Sequence, residues 1–248
     1  MGIVLFIKGK DYYTEIVPYT GEPQQLHGFQ NHLAEKQMKA TITAIGDSLT
    51  KGVGDPDEQG YAGMTVKALK KSNAISELNF KDYGVKGDTT EDLLRVIQGE
   101  QVKQDLSTSD IIFITIGGND LVQVIRKNFL EVDIEDFNQQ RIIYSKNFNQ
   151  ILGQIRQLNP TATIYYIGLY NPFEDLLVGL NDQFKSIIDE WNNTTQTILN
   201  LYTNTVFIPT YDLFTGKLDQ LLYTDHFHPN HKGYKLISER LLSEIQDK

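Results

Sequence analysis

The chain contains no cysteine. A disulfide framework, a thiolate zinc site and a cysteine nucleophile are therefore excluded, which leaves Ser, His, Asp and Glu for catalysis or metal binding. Long apolar runs are lacking as well. The run near the start, Ile3 to Ile7, is only five residues, against the roughly 20 that span a bilayer or the roughly 7 to 15 of a signal-peptide core. Positive charge is scarce: 23 basic against 32 acidic side chains leave a net charge of -9. No stretch gathers the lysines and arginines, so nucleic acid is not an expected partner. Internal repeats, low-complexity tracts and Pro/Gly-rich linkers that would mark a second folded domain are also missing.

What is present reads as one globular domain. With 248 residues, 40% of them hydrophobic and 22% charged, the chain is long enough to bury roughly 70 to 75% of its unfolded surface without staples. Residues 1–38 stand apart. Their apolar stub, followed by Lys8, Lys10 and a polar stretch up to Lys39, fits the trimmed end of a membrane anchor with its spacer, and equally an N-terminal extension packed on the domain. The domain proper is expected over 39–248.

From Ala40 onward, short β-rich runs alternate with longer runs of helical periodicity, the pattern of a parallel sheet covered on both faces by helices. Strands are predicted at Thr41 to Ile45, Phe80 to Tyr83, Ile111 to Ile116, Thr163 to Gly168 and Thr205 to Ile208. The third and fourth are continuously apolar, as strands buried on both sides should be. Helical spacing appears at Val66, Leu69 and Lys70 and at Leu93, Leu94 and Ile97. It is clearest at Tyr144, Phe148, Ile151, Ile155 and Leu158 and at Phe184, Ile187, Ile188, Trp191 and Ile198, and a final helix is expected from about His231 to Ile245.

In such a sheet, ligands bind beyond the carboxyl ends of the strands, and chemistry-bearing residues gather there. The first strand runs into Gly46-Asp47-Ser48-Leu49. A serine where a parallel strand turns into a helix can be held exposed, its own N–H free for an oxyanion, although Asp or Ser at that point is also an ordinary helix cap. A phosphate cradle is a poorer fit, because the Gly-Lys-Ser/Thr ending is missing. The second strand leads into Asp82-Tyr83-Gly84 and on to Gly87-Asp88, the third into Gly117-Gly118-Asn119-Asp120. Glycine admits a close backbone N–H and a short amide donates to developing charge, while either block alone is commonly a turn. Near the C-terminus, Asp225-His226-Phe227-His228 is followed by His231. Asp225 and His228 would supply a serine with a base and its orienting carboxylate. The rival is a metal site on Asp225, His226, His228 and His231, which with Asp47 and Asn119 would make a metal-dependent phosphoesterase. His27 and His32 read as surface residues.

These four blocks, in this order, resemble the GDSL or SGNH hydrolase superfamily, over about residues 41 to 245, and most of all its lipase/acylhydrolase branch in Gram-positive bacteria. The resemblance implies a flavodoxin-like three-layer α/β sandwich with five parallel strands in the order 2-1-3-4-5. It implies Ser48 as nucleophile, Asp225 and His228 completing the triad, and an oxyanion hole from the N–H groups of Ser48 and Gly84 with the Asn119 side chain. The family's second block usually begins with Asn, and here that place is Asp82. The activity implied is a serine esterase on small-molecule or lipid-like carboxylic esters, with no metal and no cofactor. An intact Ser, His and Asp set argues against a silent carbohydrate- or lipid-binding module. An exported or membrane-anchored, extracytoplasmic protein accompanies the anchor reading of residues 1–38; a cytoplasmic one accompanies the packed extension. Apolar residues after the third strand (Leu121, Val122, Val124, Ile125) and after the fourth (Pro172, Phe173, Leu176, Leu177, Val178) are read either as an acyl pocket or as helix faces on the core.

Overall fold

The computed structural model describes residues 38–57, 59–71, 75–127, 133–174 and 181–246. Apart from Met38, the expectations for residues 1–38, with His27 and His32, lie outside these. In chain order the elements are β1 (Met38–Gly46), α1 (Ser48–Lys51), α2 (Gly60–Lys71), β2 (Ile75–Gly84), α3 (Thr90–Val96), α4 (Glu100–Ser107), β3 (Ile111–Thr115), α5 (Gly118–Lys127), α6 (Ile134–Leu158), β4 (Thr163–Ile167), α7 (Asn181–Leu199), β5 (Thr205–Ile208), α8 (Tyr211–Phe214), α9 (Leu218–Leu221) and α10 (His231–Gln246). The five strands form one parallel sheet in the order β2-β1-β3-β4-β5. This is the α/β architecture and strand order that the sequence implied.

The strands are buried in alternation on the two faces of the sheet, and each face has its own core. On one, Ile112, Ile114, Ile164 and Tyr166 meet Tyr144, Phe148, Ile151 and Ile155 of α6 and Ile187, Ile188 and Trp191 of α7. On the other, Ile42, Phe113, Tyr165 and Ile167 meet Tyr61, Val66 and Leu69 of α2 and Tyr234, Ile237 and Leu241 of α10. Both long periodic stretches are thus core-facing helices. Truncating a fully buried member such as Ile151 to Ala should cost about 2 to 5 kcal/mol. Lys70, within the α2 spacing, faces solvent.

β2 is longer than predicted. It starts at Ile75 and pairs with β1 along its length. It is an edge strand, and exposed Glu77, Asn79 and Asp82 alternate with half-buried Leu78, Phe80 and Lys81, so no continuous apolar run announces it. Register matters most at the carboxyl ends. Gly46 pairs with both Gly84 and Thr115, so β2, β1 and β3 end level and their following loops share one rim. Among the described residues, no helix is long and apolar enough to cross a membrane.

Candidate active site

The turn after β1 is built around a glycine that nothing can replace. Gly46 has φ +137, and a Cβ there would lie 1.9 Å from the Thr115 carbonyl oxygen. Asp47 then caps α1: its Oδ1 accepts from Leu49 N–H at 3.0 Å and from the Thr115 hydroxyl at 2.9 Å. Thr115 also accepts from Thr50 N–H at 3.1 Å, so one β3 hydroxyl holds both arms of the turn. Burial pushes the Asp47 carboxyl up to about 7, against the lowering effect of those two donors, with nearby Asp120 and Asp88 adding to the rise. Ser48, at the start of α1, is buried.

The last block wraps around one carboxylate. Asp225 Oδ1 accepts from the N–H groups of Phe227 and His228, both at 3.0 Å, while His226 takes the left-handed φ of +55 that closes the turn. Asp225 Oδ2 lies 2.6 Å from His228 Nδ1, and His228 Nε2 lies 2.9 Å from Ser48 Oγ. Burial works to raise the Asp225 carboxyl, but the hydrogen bonds from the His228 ring and the two backbone N–H groups outweigh it and hold the group below its usual range. With Nδ1–H donating to Asp225, Nε2 is left as the acceptor for the serine proton. The loop is tied from outside as well. Tyr170 donates to the Phe227 carbonyl at 2.5 Å, and Gly54 packs against His228, where a Cβ would meet the Pro229 carbonyl oxygen at 2.5 Å.

The other two described histidines do not join them. His231 Nδ1 is 2.9 Å from Asp55 Oδ1, a buried carboxylate that also accepts from Gln59 and Gly60 N–H. His226 is exposed in the turn. Among the described residues, no three His, Asp or Glu side chains are placed to share a metal ion.

The expected oxyanion donors divide. The Asn119 amide reaches across to the second block, donating to the Asp88 carbonyl at 2.9 Å, which leaves its second N–H available. Gly84 N–H is engaged by Asp82 Oδ1 at 2.7 Å. Burial keeps the Asp82 carboxyl above its usual range, opposed by that hydrogen bond and by Lys51. Three residues on, Gly87 has φ +93 with open space where a Cβ would stand. Neither its N–H nor that of Ser48 has a hydrogen-bond partner among the described residues. The loop is pinned beyond Gly87, where Thr89 caps α3 in a reciprocal pair with Asp92 and the Asp120 carboxylate accepts from Thr90 N–H at 2.9 Å.

Beside Ser48 an apolar cleft opens between the ends of β3 and β4. Leu121, Val122, Pro172 and Phe173 line it, whereas Val124 is buried in the core and Ile125 packs on it. Leu121 belongs to that same core and Phe173 packs on it too, so cleft lining and core packing are shared by the same side chains, with Leu176 to Val178 outside the described residues. Ile188 and Phe227 complete the walls; no local motif marks Ile188, whose helical spacing reads simply as core.

A serine, its base and a carboxylate in line at the rim of a parallel sheet define a serine hydrolase. The chain belongs to the GDSL-like lipase/acylhydrolase family, which it matches over residues 44–236. It is a carboxylic ester hydrolase. It is 36% identical to YpmR of Bacillus subtilis (strain 168) over 217 residues, 87% of this chain and 85% of that one. It is 28% identical to the spore germination lipase LipC of Bacillus licheniformis, over 82% of this chain and 95% of that one. Among solved structures, it resembles the lipase Lip_vut3 from a goat rumen metagenome, with a TM-score of 0.71 and 26% identity over 83% of this chain and 97% of that one. The acetylxylan esterase Axe2 of Geobacillus stearothermophilus shares the fold, with a TM-score of 0.64 at 19% identity over 84% of this chain and 95% of that one.

Proposed function

We propose that the protein cleaves carboxylic esters through an acyl-enzyme on Ser48. The observation that carries this is the unbroken relay from Ser48 Oγ to His228 Nε2 and from His228 Nδ1 to Asp225. In the first half, the Ser48 hydroxyl gives its proton to Nε2 as Oγ bonds to the ester carbonyl carbon, and the electron pair of the C=O moves onto oxygen. That oxyanion is met by the Ser48 N–H, the free N–H of the Asn119 amide and, in place of the engaged Gly84, the N–H of Gly87. Collapse breaks the bond to the alcohol oxygen, which leaves with the proton from His228. In the second half a water gives its proton to Nε2 and attacks the acyl carbon. Ser48 Oγ then departs with that proton, and the carboxylic acid is released.

Asp225 keeps Nδ1 protonated and stabilises the imidazolium without taking the proton, in keeping with its lowered carboxyl. An alkyl fluorophosphonate tests the reading. It should add one phosphonyl group per chain, mapping to the peptide that carries Ser48, and Ser48→Ala should take up none. Labelling of another serine, or full esterase activity in Ser48→Ala, would overturn it.

A further inference from the structure

Two consecutive residues in the first turn of α5 grip the loop that follows β2. The Asn119 amide donates to the Asp88 carbonyl at 2.9 Å. The Asp120 carboxylate takes both donors of Thr90, the backbone N–H at 2.9 Å and the hydroxyl at 2.5 Å. From α6, the Asn147 amide donates to the same hydroxyl at 3.2 Å. Thr90 and Asp120 are both buried. The start of α5 is itself fixed. Tyr166 donates to the Ile116 carbonyl, and the Tyr144 ring lies so close to Gly117 that a Cβ there would meet it at 2.6 Å.

A carboxylate is an expensive group to bury. Burial raises the Asp120 carboxyl against the two Thr90 donors, and the neighbouring Asp92 charge is negative as well. Filling space does not call for such a group. What it does that an apolar side chain cannot is accept from both donors of one residue at once, and that residue anchors the loop carrying Gly87. The loop's other end is tied by Val85 N–H to the Gly46 carbonyl at 2.9 Å, and Asp88 N–H closes the turn around Gly87 by donating to the Val85 carbonyl at 3.2 Å.

The aim of the spare Asn119 N–H follows from these bonds. An amide is planar and its two N–H bonds point in fixed directions, so holding Asp88 with one directs the other. Any shift of Asp88 turns the spare donor and moves the adjoining Gly87 at the same time. Resting on the serine-esterase reading and its oxyanion donors, we propose that Asp120, acting through Thr90, is a positioning residue that keeps the Asn119 amide and the Gly87 N–H converged on the oxyanion. It touches no reacting atom itself.

The test is the hydrolysis of p-nitrophenyl acetate by the full chain. Each variant is normalised to the sites titrated by the alkyl fluorophosphonate run to completion, so unfolded protein does not count. Asp120→Ala should lower kcat at least tenfold with KM within about twofold, since a misplacement of about 1 Å can cost about a hundredfold. Asp120→Asn keeps an acceptor for the Thr90 N–H and should return kcat to within about threefold of the parent. Thr90→Val and Thr90→Ser form an independent pair: the first should fall at least fivefold and the second stay within about twofold. If Asp120→Ala does not fold, this pair decides. In an Asn119→Ala background the Asp120→Ala penalty should shrink at least threefold, because one of the two donors it aligns is gone. A latch that served only the fold would leave kcat per titrated site unchanged in Asp120→Ala and Thr90→Val. That result, penalties that multiply in full with Asn119→Ala, or no recovery in Asp120→Asn and Thr90→Ser would overturn the proposal and leave the labelled serine standing. A parent that takes up no label on Ser48 would overturn the esterase reading and this one with it.

Discussion

The hydroxyl of Tyr170, just past the end of β4, donates to the carbonyl of Phe227, the residue before His228. Its ring stacks on Phe214 with centroids 4.1 Å apart, so the donor is itself fixed. The His228 segment is thereby tied to the sheet at a point that Asp225 does not reach. Tyr170→Phe keeps the stack and removes the tie. It should lower kcat about tenfold, because small displacements of a catalytic group are expensive, and stability by about 1 to 3 kcal/mol for the carbonyl left unmet. Steady-state kinetics and a thermal melt of the same variant check it; an unchanged kcat would show that Asp225 alone orients the ring.

The histidines should separate cleanly. His228→Ala is expected to leave only the residual catalysis of the oxyanion hole and substrate binding. His226 is exposed and His231 faces Asp55, so His226→Ala and His231→Ala should keep kcat within about threefold. Incubation with EDTA should leave the rate unchanged. Loss of activity on chelation, restored by zinc or manganese, would return the histidine cluster to the metal-site reading.

The parts legible in the sequence are those whose physics is local. Gly46, Asp47 and Ser48 stand together because the tight turn needs them together, and Asp225 and His228 share one loop. β3 and β4 could be read because strands buried on both faces are apolar without a break. The opening half of β2 could not, since at the sheet edge Glu77 and Asn79 belong to a strand only through pairing with β1. Nor could the engagement of Gly84, which turns on where the Asp82 carboxylate folds back. Ile188 joins the cleft across 140 positions from Ser48, a distance no spacing rule crosses.

Asp47 should give the protein a stability that falls with rising pH. Its folded value is raised to about 7 from 3.8. The folded chain therefore holds a proton that the unfolded chain has released, and the stability this confers is lost as pH climbs through that window. The lowered Asp225 works in the opposite sense and in a lower range, its contribution lost as pH falls through its folded value. Asp47→Asn keeps the acceptor for Leu49 and Thr115 and removes the buried charge. Relative to the parent it should gain on the order of 2 to 4 kcal/mol between pH 5 and pH 8. Parallel melts at the two pH values measure this, and an equal difference at both would show that Asp47 is ionised throughout.

The oxyanion donors can be tested as a pair of opposites. Asn119 offers one amide hydrogen to Asp88 and has one to spare. If the spare hydrogen meets the transition-state oxygen, Asn119→Ala should lower kcat by about a hundred- to a thousandfold with KM little changed. A merely structural Asn would instead cost about 1 kcal/mol of stability and leave kcat nearly intact. Asp82→Ala asks the complementary question of the second block. The Asp82 carboxylate occupies Gly84 N–H; were that N–H a working donor, freeing it should raise kcat several-fold. With Gly87 as the donor, Asp82→Ala should leave kcat within about twofold. A large gain in Asp82→Ala would therefore move the assignment back from Gly87 to Gly84, and a near-normal kcat in Asn119→Ala would remove the amide from the hole altogether.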